Sequence, residues 1–372
     1  MNKVITSRQL LEQAYEGLDP KTIVDYHVHV VGTDTEETQN FVHPGFLSWR
    51  HPFLYLFSRF FQNAFAIRDV EHADEQMLVR LKSLAQRATG KFCLLAFDGY
   101  YDDNGVLNKK KTYFYVSNEY TYQVASKQRD LFIPAMSVHP YRDDALDELE
   151  KWAENGIRLV KWLPNVMGMN PADKRCLPFY RKMQELGLIL LTHTGHESAI
   201  PIVTHQEFGN PLLLRSALDE GVKVIMAHSA TCGKNRDLDH PTKKRVRNFD
   251  LFLRMAEEVR YEKLLFGDIS AVTLLDRMHY LDRLIEASRG VLAGRLVNGS
   301  DYPMPCANLL ISTRALQFFG HITAEERQGM NEIYRSNPLV FDFVLKRTLR
   351  HSKTGQTFPK NVFVVHKSLD IR

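Results

Sequence analysis

Cysteine is scarce in this chain: Cys93, Cys176, Cys232 and Cys306 are its four thiols, and no Cys-x-x-Cys pair occurs. That excludes a disulfide scaffold and a thiol zinc ribbon, and fits reduced thiols in a protein expected to be cytoplasmic. Charge of one sign is scarce too. Lys and Arg exceed Asp and Glu by only 48 − 44 = 4, spread along the chain, so no basic nucleic-acid surface is expected. No apolar run reaches membrane-spanning length, and residues 1–20 lack the basic-then-apolar order of a signal peptide; neither a membrane partner nor export is expected. Low-complexity tracts and Gly/Ser linkers are missing as well, so residues 1–372 read as one domain. Hydrophobic content of 44% is enough for a large core without covalent staples.

What recurs is a short β-branched or apolar run followed by a segment with helical spacing. Eight such runs cover 23–30, 92–98, 132–139, 157–163, 188–193, 222–228, 264–270 and 292–300. Helical segments are expected at 68–89, 146–154, 178–186, 211–220, 278–288 and 308–319, several of them stopped by a glycine. Strand and helix alternating eight times implies parallel strands with right-handed crossovers, closed into a (β/α)₈ TIM barrel. Such barrels typically take about 250 residues. The surplus falls in an aromatic-rich insertion after strand one (31–67), a polar, basic loop at 231–248 and a C-terminal extension (338–372) carrying an apolar run, 361–366, that can pair along an edge. The insertion leaves the C-terminal end of a strand, where barrels keep their active sites, so it reads as a lid or pocket wall. Packing as a satellite core on the barrel, or on a second subunit in a homodimer, is the alternative.

The segment Thr22-Ile-Val-Asp-Tyr-His-Val-His-Val30 carries the chemistry. Alternation along a strand points His27 and His29 the same way, with Asp25 below them. A lone His-x-His recurs by chance in a chain with 15 histidines. Here it has company: His193 ends run five, His228 ends run six, and Asp301 follows run eight. All five would converge at one barrel mouth, which would not otherwise tolerate so many unpaired polar groups. Imidazole nitrogens with one carboxylate suit a divalent metal, zinc best, with iron(II), manganese or nickel taking the same atoms. A position left open for water makes such a site catalytic, because the cation lowers the pKa of water toward ~7. Asp301 then serves as general base, and His228 orients the water or polarises the substrate oxygen.

These residues resemble the amidohydrolase superfamily, specifically its amidohydrolase-2 branch of TIM-barrel metal-dependent hydrolases. The resemblance runs from Asp25-Tyr-His-Val-His29 to Asn298-Gly-Ser-Asp-Tyr-Pro303 and Arg335-Ser-Asn-Pro-Leu339. Between them lie Ser137-Val-His-Pro-Tyr141, Gly156-Ile-Arg-Leu-Val-Lys161, His193-Thr-Gly195 and Gly267-Asp-Ile-Ser-Ala271. It implies a metal-dependent hydrolase acting on an amide, lactone or ester bond of a small molecule. A metal-dependent decarboxylase acting on an unsaturated or aromatic carboxylic acid is the alternative, with Asp301 delivering a proton to carbon. The resemblance gives Lys161 two readings. Carboxylated, it would bridge two metals, the second held by His193 and His228; as an ammonium group it would bind an anionic substrate or pair with Asp301. His139 and Asp268 read as hydrogen-bonded supports. His196 reads as a loop or substrate-contacting residue, and Trp162 and Tyr302 as packing beside the site.

Overall fold

In the computed structural model, which describes residues 5–33, 38–198, 200, 204–307 and 309–372, every one of the eight runs contains a strand. They are β1 (Val24–His29), β2 (Lys91–Leu95), β3 (Phe132–Ala135), β4 (Leu159–Trp162), β5 (Ile189–Thr192), β6 (Lys223–Met226), β7 (Leu265–Asp268) and β8 (Leu296–Val297). Strands β1, β2 and β3 pair in parallel, and so do β4 through β8. Single parallel bridges join the two sets. Met136–Val160 links β3 to β4, where Met136 N–H donates to Leu159 O at 2.9 Å and Lys161 N–H to Met136 O at 2.7 Å. Val28–Tyr302 links β1 to the chain after β8, where Tyr26 N–H donates to Asn298 O and His29 N–H to Tyr302 O, both at 3.0 Å. The eight strands therefore close into the expected TIM barrel.

Its interior is filled by Tyr26, Leu95, Leu159, Leu191, Ile225 and Phe266, with Leu369 and Ile371 of the C-terminal tail packed against them. Tyr26 Oη donates to Leu369 O at 3.0 Å, and Lys223 Nζ at the start of β6 donates to Ser368 O. The tail thus covers the end of the barrel where the strands begin. The run at 361–366 makes one antiparallel bridge, Ile23–Val364, after a 3₁₀ turn at Lys360–Phe363.

Two expectations need correction. Asp25 does not share a face with the histidines. The register of β1 against β2 shifts between Asp25 and Val28, so Tyr26 and His27 both turn inward. That bulge sends Asp25 to the outer face, beside Leu339 and Asp342, where it accepts from His27 N–H at 3.0 Å. Several helices are also shorter than their periodic patterns. The 211–220 segment splits into a 3₁₀ turn, Pro211–Leu214, whose start is capped by the Asn210 side chain accepting from Leu212 N–H, and a short helix, Arg215–Asp219. In 308–319 only Thr313–Phe318 is helical, starting at its Ser312 cap; Asn308 lies outside the described residues.

The insertion forms a helix, Pro52–Phe65, anchored near a two-residue ladder between Phe41–Val42 and Phe114–Tyr115. One side of the helix presents Phe57, Phe60, Phe61 and Phe65 to a cavity above the barrel. At its N-terminal end Phe53 (83%), and just before the helix Trp49 (77%), are exposed. The segment lines the cavity and also packs: Phe46, Leu54 and Phe65 join Val28, Leu94 and Phe97 in a second hydrophobic cluster.

Candidate metal centre

β1 and the turn after β8 supply the central donors. His27 Nε2 and His29 Nε2 lie 3.2 Å apart. Asp301 Oδ1 stands 3.4 Å from the first and 3.2 Å from the second. In a tetrahedral complex with bonds of about 2.0–2.1 Å, neighbouring donor atoms sit about 3.3 Å apart. The triangle already has the size of one face of a divalent-cation site, so these residues fit such an ion. Lys161 Nζ joins it at 3.0 Å from His27 Nε2.

The turn geometry aims these groups. Asp301 adopts a left-handed φ of 58°, with its N–H donating to His27 O at 2.8 Å. Ser300 N–H before it donates to Asp25 Oδ1 at 2.9 Å. His228 likewise has φ 56°. Non-glycine residues rarely adopt this region, and the surrounding hydrogen bonds must hold them there.

Asp268, at the end of β7, sets the tautomers. Its Oδ2 lies 2.8 Å from His27 Nδ1, and its Oδ1 accepts from His228 N–H at 2.7 Å and from the Ser270 hydroxyl. With its proton committed to Asp268, Ser270 Oγ must accept from His228 Nδ1, 2.7 Å away. Both imidazoles thus carry the hydrogen on Nδ1, an assignment that follows from their partners. Each Nε2 keeps its lone pair; that of His27 faces the triangle.

Charge follows burial and neighbours. Burial would push the Asp301 carboxyl up, yet His228, His27 and the His29 hydrogen bond together hold it well below the usual carboxylate range. Burial drives His193 and His228 well below the ordinary imidazole value. His29, with 26% of its side chain open to the cavity, is pushed down to about 4, again chiefly by burial. Burial also lowers Lys161 to about 8, opposed by Asp301 and Asp268. His29, His193 and His228 are therefore neutral at pH 7, the state a metal needs.

Of the remaining candidates His228 stands nearest, offering a ring nitrogen within 4.8 Å of donor atoms on His27 and Asp301. The His228 ring stacks on His27 with centroids 5.1 Å apart, its Nδ1 being 4.0 Å from Asp301 Oδ2. His193 packs edge-on against His228 at 5.2 Å, its nitrogens facing Glu197 Oε2 at 3.5 Å and His196 O at 3.4 Å. His139 faces Met167 O at 3.1 Å and is a structural support. Trp162 packs on Phe179 and Tyr180 and donates to Val138 O, on the face of β4 opposite Lys161. His196 faces Lys234 O at 3.0 Å in the polar loop. Sequence reasoning missed Ser270, although its spacing of two from Asp268 was a legible cue. It also missed Arg277, which no motif marks.

His29, Lys161, His193, His228 and Asp301 share one cavity of about 410 Å³ whose remaining wall is largely apolar. The family model described as Amidohydrolase matches residues 24–308. No curated protein matches the sequence. Among solved structures, an uncharacterized TIM-barrel protein from Bordetella bronchiseptica is 19% identical, over 87% of this chain and 99% of that one, with a TM-score of 0.48. A putative 2-pyrone-4,6-dicarboxylic acid hydrolase from Pseudomonas putida is 15% identical, over 88% and 94%, with a TM-score of 0.48. A 4-oxalomesaconate hydratase from Rhodopseudomonas palustris is 17% identical, over 88% and 97%, with a TM-score of 0.43.

Proposed function

The chain belongs to the amidohydrolase-2 family and is an enzyme of the amidohydrolase superfamily, and from that premise we propose that it hydrolyses an amide, lactone or ester bond of a small molecule. The observation that carries this reading is the donor triangle of His27, His29 and Asp301, with edges of 3.2–3.4 Å. His27, His29 and Asp301 would hold a divalent cation, with His193 and His228 on its open side; imidazole and carboxylate donors suit zinc. When bound, the cation lowers the pKa of water toward ~7 and polarises the scissile carbonyl.

The side chains supply the rest. Asp301 stays ionised beside its imidazoles. Its Oδ2 takes the proton from the attacking water as the new C–O bond forms, and returns it to the departing nitrogen or oxygen as that bond breaks. His228, with Nδ1–H committed to Ser270, offers Nε2 as an acceptor, which suits orienting the water. Lys161 acts in this reading as an amine beside His27, and one cation per chain goes with it; a second cation would require its carboxylation.

A decarboxylase is the second reading. Lys161, a cationic side chain 3.0 Å from His27 Nε2, favours it, since an ammonium there could hold a substrate carboxylate. A panel of lactones, amides, esters and unsaturated or aromatic acids, assayed for hydrolysis and for carbon dioxide release, separates the two. His27→Ala and Asp301→Asn should each lower kcat/KM by about 10²–10⁴-fold while far-ultraviolet dichroism stays unchanged. Full activity in both variants would remove the mechanism.

A further inference from the structure

Arg277 lies in the loop after β7, its side chain only 6% exposed. Among the described residues, neither its Nε nor its Nη1 has a hydrogen-bond partner. The nearest carboxylate is that of Asp276, 3.8 Å from Nε, outside hydrogen-bond reach and 55% exposed to water. A buried guanidinium with idle N–H groups is costly, and native structures keep few such groups without a reason. Of the described side chains with buried, unpartnered polar atoms, Arg277 is the one that lines the cavity of the metal centre. The other charged groups on that wall are Lys161, Glu197, Asp276 and Asp301. Glu197 is engaged with His193 at 3.5 Å, and Asp301 belongs to the donor triangle. To the same cavity the insertion contributes Phe57, Phe60, Phe61 and Phe65.

We propose that the substrate is an amphiphilic carboxylate, with its hydrocarbon or aryl body against this aromatic wall and its carboxylate on a free N–H group of Arg277, apart from the bond cleaved at the metal centre. The proposal rests on the hydrolase reading for the reaction and adds the substrate's class. A carboxylate supplies an acceptor oxygen to an idle donor of the guanidinium, side-on at Nε–H or end-on at Nη1–H, where burial strengthens a charge-assisted bond. An apolar alcohol of the same length fills the same volume and leaves the guanidinium unanswered. Discrimination built on a buried polar group is much steeper than discrimination by size alone.

Calorimetric titration with decanoate, decanol and decyltrimethylammonium tests this on the metal-loaded protein, on the metal-stripped protein, and on Arg277→Met and Arg277→Lys. Decanoate should bind the wild type roughly tenfold to hundredfold more tightly than decanol, as a charge-assisted bond implies, and decyltrimethylammonium more weakly than either. The preference should survive metal removal, vanish in Arg277→Met and persist in part in Arg277→Lys. Equal affinity for decanoate and decanol in the wild type overturns the proposal. So does a preference that Arg277→Met retains and metal removal abolishes, because the carboxylate would then sit on the cation. Should Arg277→Met unfold, the wild-type series and Arg277→Lys decide alone. Decanoate selectivity without hydrolysis of any amide, lactone or ester would sink the reaction and keep the anion site; hydrolysis without that selectivity would do the reverse.

Discussion

Asp268 touches no part of the donor triangle except through His27, yet two imidazoles depend on it. It receives the Nδ1 hydrogen of His27 at 2.8 Å and, by way of Ser270, fixes the ring of His228. Its own charge survives complete burial because His27, His228 and Ser270 outweigh the desolvation. Asp268→Asn keeps the shape and removes the charge, so it should weaken divalent-metal affinity about 10- to 100-fold, read by competition with a chelating dye, with folding retained. Unchanged affinity would mean that the ring orientation has another source. Titration supplies a second test at this scale. Unfolded histidines take up protons near pH 6.5, whereas His29 is held to about 4 and His193 and His228 lie well below their ordinary value. Below pH 6.5 the unfolded chain therefore binds more protons than the folded one, and stability must fall as pH drops toward 4. Urea midpoints of the metal-free protein should decline over that interval, and less steeply in His228→Gln; a flat profile would contradict the buried, neutral state of these rings.

Among the elements, the helix Pro52–Phe65 is least like the rest of the barrel. Its composition, aromatic on nearly every turn, was legible as a wall or a satellite core, and the structure shows features of both. Phe61 faces the cavity while Phe53 faces water. Phe61→Ala should raise KM for apolar substrates roughly tenfold with kcat little changed, because burial against that ring is available equally to substrate and transition state. Phe53→Ser should alter neither constant. Equal effects at both positions would mean that the helix serves the fold alone. Other elements show where periodicity stops informing. The bulge in β1 reverses the facing of Asp25 relative to His27, and alternation cannot announce an inserted residue. The helix Pro338–Thr348 went unread because its residues from Pro338 to Lys346 are all buried and show no polar stripe. Its start was nonetheless written in Arg335-Ser-Asn-Pro-Leu339: Asn337 accepts from Leu339 and Val340 N–H, with Pro338 at the first helical position.

Across the whole molecule, the candidate metal centre coincides with the junction between the first and last strands. The barrel was legible because eight apolar runs alternate with helical segments, and the candidate ligands drew notice because they lie at or just beyond the ends of four of those runs. How the ring closes was not legible, since the eighth run reads as a strand up to 300 whereas the strand itself ends at Val297 and irregular chain makes the closure. Residues 298–302 join β1 by bonds from Tyr26 N–H to Asn298 O, Asp301 N–H to His27 O and His29 N–H to Tyr302 O, at 2.8–3.0 Å. A cation held by His27, His29 and Asp301 would tie the same two segments together through side chains. Binding to the folded state alone stabilises by about 2.7 kcal/mol at a hundredfold excess over Kd, which for a chain of this length raises Tm by about 3–4 °C. Zinc added to stripped wild-type protein should give that shift, and His27→Ala and Asp301→Asn should lose it. Amide hydrogen exchange locates the effect: His29 and Asp301 should gain protection on metal binding, whereas Met136 and Lys161, at the seam between β3 and β4, should gain less. A rise in Tm that both variants retain, or protection spread evenly over the two seams, would put the cation somewhere other than the mouth where β1 meets the end of β8.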